Sequence, residues 1–481
     1  MRTLNKIRLL NLSIILSILA SINMQAQLKS PNNQADYLII TPTQFVSTLQ
    51  PFVNWRQQKN LNVKVAELQQ IYSEFPDSTQ PSSIRDFISY ALTYWITPKV
   101  KYVLLVGGAK LLPSYRVQSA FASDSSLNED SVSIDEWYSI NKYETNTKPD
   151  VELGRFPVYN AQELSNIISK TIYFEDSLTI EDYPKDFTFL ADKSDSTTFE
   201  HAASRFINSD LPSIYTTNII FSGEDSTVDL TRAHLFNSLN NGTLFLSYYG
   251  HGAPDKWSKY NFFTYGDIDS LKVNNLPFIY TSAACSQSFD PPNDSSIVRK
   301  LITLDRIGTV ASVNATGLNF LSSGEDFLTN FYNYLFTQKD ITIGDAVLQT
   351  KLYIENYDYS AYQLTQRYTL LGDPALRIPV KTISQVFEAT DKIPWTYSLK
   401  QNYPNPFNPS TTISYSIAKQ TLVTIKVYDI IGREISTLVN EEKNSGSYAI
   451  KFDGSKLTSG IYFYQIKAGN YVSSKKMLLL K

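Results

Sequence analysis

The sequence predicts an α/β fold: two tandem parallel-sheet subdomains followed by a small all-β sandwich. Three observations carry this. From about residue 35 short apolar runs alternate with segments of helical period, the alternation restarts near Asp150, and after about Val380 it gives way to period-two strands separated by turn residues. At 481 residues the chain exceeds one ordinary core, and 42% apolar with 13% aromatic residues is the composition of a folded protein.

The elements follow in order. "ADYLIITP" (35–42) is an apolar strand, and in "TQFVSTLQPFVNWRQQ" the residues Phe45, Leu49, Phe52, Val53 and Trp55 recur at roughly helical spacing. "NVKVAEL" reads as a strand. "PSSIRDFISYALTYWI" reads as a helix opening on Pro81 and Ser82, and "VKYVLLVGGAKLLP" as a buried strand broken by Gly107 and Gly108. Apolar strands alternating with helices in this way form a parallel sheet covered by helices.

Where the pattern restarts, "DVELGRFPV" is a strand end and "NAQELSNIISKTIYFE" a helix. "DFTFLAD" (186–192), "TFEHAASRFIN" and "IYTTNIIFS" then read as strand, helix and strand. "TRAHLFNSLNNG" is a helix with Gly242 just past its end. Strands are expected at 243–249, 276–284 and "GTVASVNAT", with a helix near 299–305. Helices at "GEDFLTNFYNYLFTQ" and "IGDAVLQTKLYIEN" precede "YTLLGDPALRIP". Beyond this, three prolines fall within 404–409, and alternating strands carry turn signals at 429–432, 444–446 and 458–460. The domains are therefore 1–26, 27–180, 181–380, a 381–398 linker and 399–481.

Residues 1–26 combine Arg2, Lys6 and Arg8 with the apolar "LLNLSIILSILA" and a small residue, Ala26, the pattern of a signal peptide. No other segment approaches the ~20 apolar residues of a membrane span. The net charge of −3 is nearly balanced, and no basic face or block marks a nucleic-acid partner. An exported chain with one cysteine, Cys285, has no internal disulfide, and one Cys with three His lacks paired zinc-ligand spacing. No cofactor is identified, and calcium ligands are not legible without a recognisable loop.

The chemistry gathers at two strand ends. "LFLSYYGHGAPDKW" breaks an apolar run with Gly250-His251-Gly252, and "LPFIYTSAACSQSF" ends another on Cys285, 34 residues on. That interval suffices for a crossover between parallel neighbours, which places both side chains at the carboxyl edge of one sheet. A thiol needs a nearby base, and imidazole is the usual partner. Gly250 and Gly252 leave space for a substrate backbone, and Gly252 N–H beside Cys285 N–H forms an oxyanion site. Alone, the cysteine reads as a small buried hydrophobe and Gly-His-Gly as a turn. Their joint placement favours catalysis.

"YYGHGAPDKW" and "PFIYTSAACS", with "DYLIITP", "YVLLVGGAKLLP", "PDVELGRFPV" and "LLGDPALRIP", resemble the gingipain-type cysteine peptidases, relatives of caspases, over about residues 35–380. The resemblance implies Cys285 as nucleophile, His251 as general base and acid, Gly252 as an oxyanion donor, and an acid orienting the histidine. Asp192 fits that last position and serves equally as a turn former. His201 and His234 fall in helices as structural residues, and Arg155 is expected to form a structural ion pair between the subdomains.

Departures are visible. Members cutting after Arg or Lys carry an acidic residue where Thr198 falls here, with Asp195 and Glu200 nearby, so basic specificity is unsupported. Gly108 replaces an Asp common in the family, and no large prodomain is expected between Gln27 and the first strand. "YPNPFNPSTTISYSI", "VYDIIGREISTLVN" and "SGIYFYQIKAG" resemble the sorting domain read by the type IX secretion system. That implies passage through the periplasm and outer membrane, the secretion machinery as partner, and a secreted or cell-surface protein. The function expected is a cysteine endopeptidase acting on proteins or peptides. Alternatives are a catalytically inactive binding module on the same fold, or a protease maturing other type IX cargo.

Overall fold

A computed structural model describes residues 27–118, 131–145, 148–195, 197–291, 293–357 and 366–381, and most of 398–480. The expected leader at 1–26 and most of the expected 381–398 linker lie outside these residues. The chain divides into two compact units, Met1–Ile383 and Ser384–Lys481.

Ten strands of the first unit form one sheet. They are β1 (Tyr37–Thr41), β2 (Val63–Glu67), β3 (Tyr102–Val106), β4 (Glu152–Phe156), β5 (Phe187–Ala191), β6 (Thr217–Phe221), β7 (Phe245–Tyr249), β8 (Phe278–Ala283), β9 (Thr309–Ala315) and β10 (Tyr368–Leu371), in the order β2-β1-β3-β4-β10-β9-β8-β7-β5-β6. The expected tandem halves are present as parallel groups, β2-β1-β3-β4 and β9-β8-β7-β5-β6. They meet edge to edge through β10, antiparallel to β9 and paired with β4 only at Leu371–Arg155.

Helices cover the central strands, so β1, β3, β5, β7, β8 and β9 are buried throughout, and polar side chains within them such as Thr281 and Ser282 bond to Ser247 and Asn314 inside the core. Nine α-helices punctuate the described residues: α1 (Val46–Gln58), α2 (Leu68–Glu74), α3 (Gln80–Tyr94), α4 (Ala161–Ser177), α5 (Thr198–Ser209), α6 (Val228–Asn241), α7 (Ile297–Thr303), α8 (Leu321–Thr337) and α9 (Ile343–Tyr357). Thr79, Asn160, Thr227 and Ser296 cap α3, α4, α6 and α7 by accepting from the third residue on, each cap contributing about 1 kcal/mol.

Arg155 is fully buried, forked onto Asp135 and donating to the Gly107 and Leu112 carbonyls. Both partners of the ion pair lie in the first half of the unit, so Arg155 anchors the end of β4. It reaches the second half through its backbone, whose carbonyl accepts from Gly372 N–H (2.9 Å), and through Phe289, whose ring lies 5.1 Å from the guanidinium.

The second unit is all-β and antiparallel. One sheet comprises Ser398–Leu399, Ser410–Ile417 and Gly446–Asp453, the other Glu434–Lys443, Thr421–Tyr428, Gly460–Ala468 and Tyr471–Leu479. Alternate residues Val423, Ile425 and Val427 lie in its core beside Ala468, Ile466 and Tyr464 of the neighbouring strand, as the period-two pattern requires.

Candidate active site

Strands β7 and β8 are parallel neighbours, with Tyr249 opposite Ala283. The register offset equals the sequence interval between His251 and Cys285. Each therefore stands two residues beyond the last pair at the same carboxyl edge. The two loops also touch: a Cβ added at Gly252 falls 2.6 Å from the Cys285 carbonyl oxygen and 2.4 Å from Gln287 Nε2.

The turn carrying His251 is fixed from below. Its carbonyl accepts from Tyr248 Oη (2.6 Å) and Ser258 N–H (2.8 Å). Trp257, returning in the hairpin Gly252–Ala253/Lys256–Trp257, stacks between Tyr248 and Tyr280 at 5.2 and 4.8 Å. Burial drives the Tyr248 and Tyr280 hydroxyls well above their ordinary pKa, so they stay neutral donors. The imidazole is half exposed. It rests edge-on against Phe199 (centroids 5.1 Å apart) and donates from Nε2 to Asp195 Oδ2 at 3.0 Å.

The acid on the ring is thus Asp195, three residues after Asp192. Asp192 is fully buried; its Oδ1 accepts from Ser194 N–H (2.9 Å) and Oγ (2.6 Å), and its Oδ2 is buried without a partner. It lies under the histidine turn, since a Cβ added at Gly250 would come within 2.6 Å of its Cβ and 2.4 Å of Tyr248 Oη. The two glycines therefore admit protein: Tyr248 and Asp192 beneath Gly250, Gln287 and the Cys285 carbonyl beneath Gly252.

Cys285 is half-buried. Its Sγ donates to the Asn319 carbonyl (3.1 Å) and accepts from Asn319 N–H (3.3 Å). Ser286 follows with φ of 52°, and the amides of Ser286 and Gln287 donate to Gly317 and Ala315 carbonyls at 2.8 Å. Those two N–H groups are committed to backbone carbonyls and are not oxyanion donors. Thr198 is exposed at the first residue of α5, with its N–H on the Asp195 carbonyl (3.2 Å). Glu200 is held away from the site, buried on Gly223 N–H (2.7 Å). His201 sits against Thr197 and His234 pairs with Asp225. Among the described residues no group of three or more His, Cys, Asp or Glu is placed to hold a metal ion, and no helix is long and apolar enough to cross a membrane.

Residues 30–379 match peptidase family C25, and residues 401–480 match the secretion system C-terminal sorting domain. Gingipain R2 of Porphyromonas gingivalis is 22% identical over 358 residues, 71% of this chain and 45% of that protein. Gingipain R1 of Porphyromonas gingivalis is also 22% identical over 358 residues, 34% of its length. The chain thus spans less than half of these relatives. The crystal structure of the Arg-specific cysteine proteinase gingipain R superposes with a TM-score of 0.59 at 16% identity, covering 94% of this chain and 99% of that one. The complex of Porphyromonas gingivalis RgpB pro- and mature domains gives 0.58 at 17%, covering 92% and 100%. These likenesses show the fold.

Proposed function

The chain belongs to peptidase family C25, and from that premise we propose that it is a cysteine endopeptidase whose nucleophile is Cys285 and whose base is His251. Its sorting domain marks it for type IX export to the cell surface or beyond, with the secretion machinery as the partner of residues 401–480. The observation that carries the catalytic reading is the equal register of Cys285 and His251 past neighbouring parallel strands.

His251 takes the Sγ proton, and the thiolate attacks the scissile carbonyl carbon. The oxyanion develops toward Gly252 and Cys285 N–H. The C–N bond then breaks as His251 protonates the leaving amine, giving an acyl-thioenzyme. Water, losing a proton to His251, attacks the thioester; the acid leaves and the thiol recovers its proton. Asp195 holds the imidazole ring, and Asp192 supports the turn that carries it. Thr198 offers substrate a neutral hydroxyl at the head of α5, and the exposed acid beside it, Asp195, is engaged by His251, so nothing favours arginine or lysine recognition there. Protein or peptide substrates follow from the chemistry.

The test is digestion of a diverse peptide library under reducing conditions, beside Cys285→Ala. Cleavage that disappears in the variant supports the reading, and the cut sites report the side chain preferred. Equal cleavage by both proteins sinks it.

A further inference from the structure

Gln287 is 2% exposed, two residues past the thiol, and its amide makes four contacts. Nε2 donates to the Ala253 carbonyl (3.1 Å) and the Cys285 carbonyl (3.3 Å), while Oε1 accepts from Trp257 Nε1 (3.0 Å) and Tyr280 Oη (3.4 Å). Ala253 and Trp257 belong to the hairpin that begins beside His251, and Tyr280 lies in β8 below Cys285. One buried side chain thus joins the histidine loop, the cysteine loop and the strand between them. On its other side the cysteine turn is tied to the end of β9 by the Ser286 and Gln287 amides.

We propose that Gln287 is a positioning residue: it sets the separation of Cys285 and His251 by clamping the two loops across the carboxyl edge of β7 and β8. An amide is required because the clamp must donate to two carbonyls and accept from two donors at once. A carboxylate cannot donate to the carbonyls, and an apolar side chain leaves all four groups unmatched in a buried site. Gly252 belongs to the same device, since any side chain there occupies the place of Gln287 Nε2.

The proposal rests on the peptidase reading, and the experiment separates their failures. Gln287→Met and the shorter Gln287→Asn are compared with the full-length chain in peptide cleavage, in thermal unfolding, and in the pH profile of Cys285 alkylation by iodoacetamide. Displacing reacting groups by about 1 Å costs roughly 100-fold in rate. The expected result in whichever variant folds is a loss of that order carried by kcat, with KM within about twofold. The alkylation rate near pH 6, where only an imidazole-paired thiol reacts readily, is expected to fall with it. Wild-type kcat and alkylation in a folded variant overturn the role of Gln287 alone, as does a loss confined to KM. A wild-type alkylation profile of an ordinary unpaired thiol, with no cleavage, overturns the peptidase reading and this proposal with it.

Discussion

At the scale of single residues the site separates groups by exposure. The Asp195–His251 pair is half in water, so its contribution to stability is small, of the order of 0–1 kcal/mol, and in the proposed mechanism its role is to aim the ring. Asp195→Asn is therefore expected to leave thermal stability unchanged and to lower kcat about tenfold, a part of the 10²–10⁴ that a general base supplies. Asp192→Asn touches a buried carboxylate that holds Ser194. It is expected to lower the unfolding temperature first; a larger kcat loss here than in Asp195→Asn would reverse the two roles. Gly252→Ala forces a Cβ into the Cys285 carbonyl and the Gln287 amide, and a loss near 100-fold in kcat/KM is expected in steady-state assays. The placement of Cys285 and His251 at neighbouring strand ends was legible because each follows an apolar run. Asp195 was not assigned to the ring because in "ADKSDS" either acid can reach a histidine from the next strand. Gln287 reads simply as a polar loop residue until its neighbours from residues 253 and 257 are folded onto it.

At the scale of elements, buried strand ends carry unusual charges. Glu152 opens β4 nearly without exposure, accepting from Thr342 Oγ1 (3.1 Å) 3.5 Å from the Lys101 ammonium, and a Cβ at Gly344 would strike it. Burial, then the neighbouring Asp345 carboxyl, push Glu152 up to about 9. A carboxyl raised in the folded state favours folding fully only below its unfolded value of about 4.5. That contribution is lost as pH rises toward 9, at up to about 1.4 kcal/mol per pH unit. Glu152→Gln keeps the shape without the titration. Urea unfolding midpoints from pH 5 to 9 should thus fall less steeply in Glu152→Gln than in the parent chain; parallel curves would show that Glu152 is ionised throughout. Element type was readable where a strand is apolar over its whole length, as in "YVLLV", or mostly so, as in "FIYTSA". The union of the two halves was not, because β10 is four residues long and its place depends on partners from β9 and β4. The two-residue strands beside His251 fall below any period.

At the scale of the whole chain, the segments matching the peptidase family and the sorting domain occupy separate cores. The three apolar clusters of the first unit draw their buried members from Leu28 to Ile378, and that of the second from Leu399 to Leu479, so no cluster of described residues is shared. The change of pattern after Val380 announced this in the sequence, since alternating strands with Gly-bearing turns cannot extend a helix-covered parallel sheet. Folding of the first unit should then be independent of residues 384–481. Each large apolar side chain buried in its clusters contributes roughly 1.5–3 kcal/mol, and none of them is removed by truncation after Ile383. The truncated chain is expected to retain thiol alkylation at Cys285 and the library cut sites of the parent, within about twofold in kcat/KM. In cells it should accumulate inside the outer membrane, because the segment matching the sorting domain is gone. Fractionation and activity of the same preparation read both outcomes. Export without residues 384–481 would remove the sorting role from this unit, while loss of the fold on truncation would mean that the two cores, though separate in composition, depend on each other for stability.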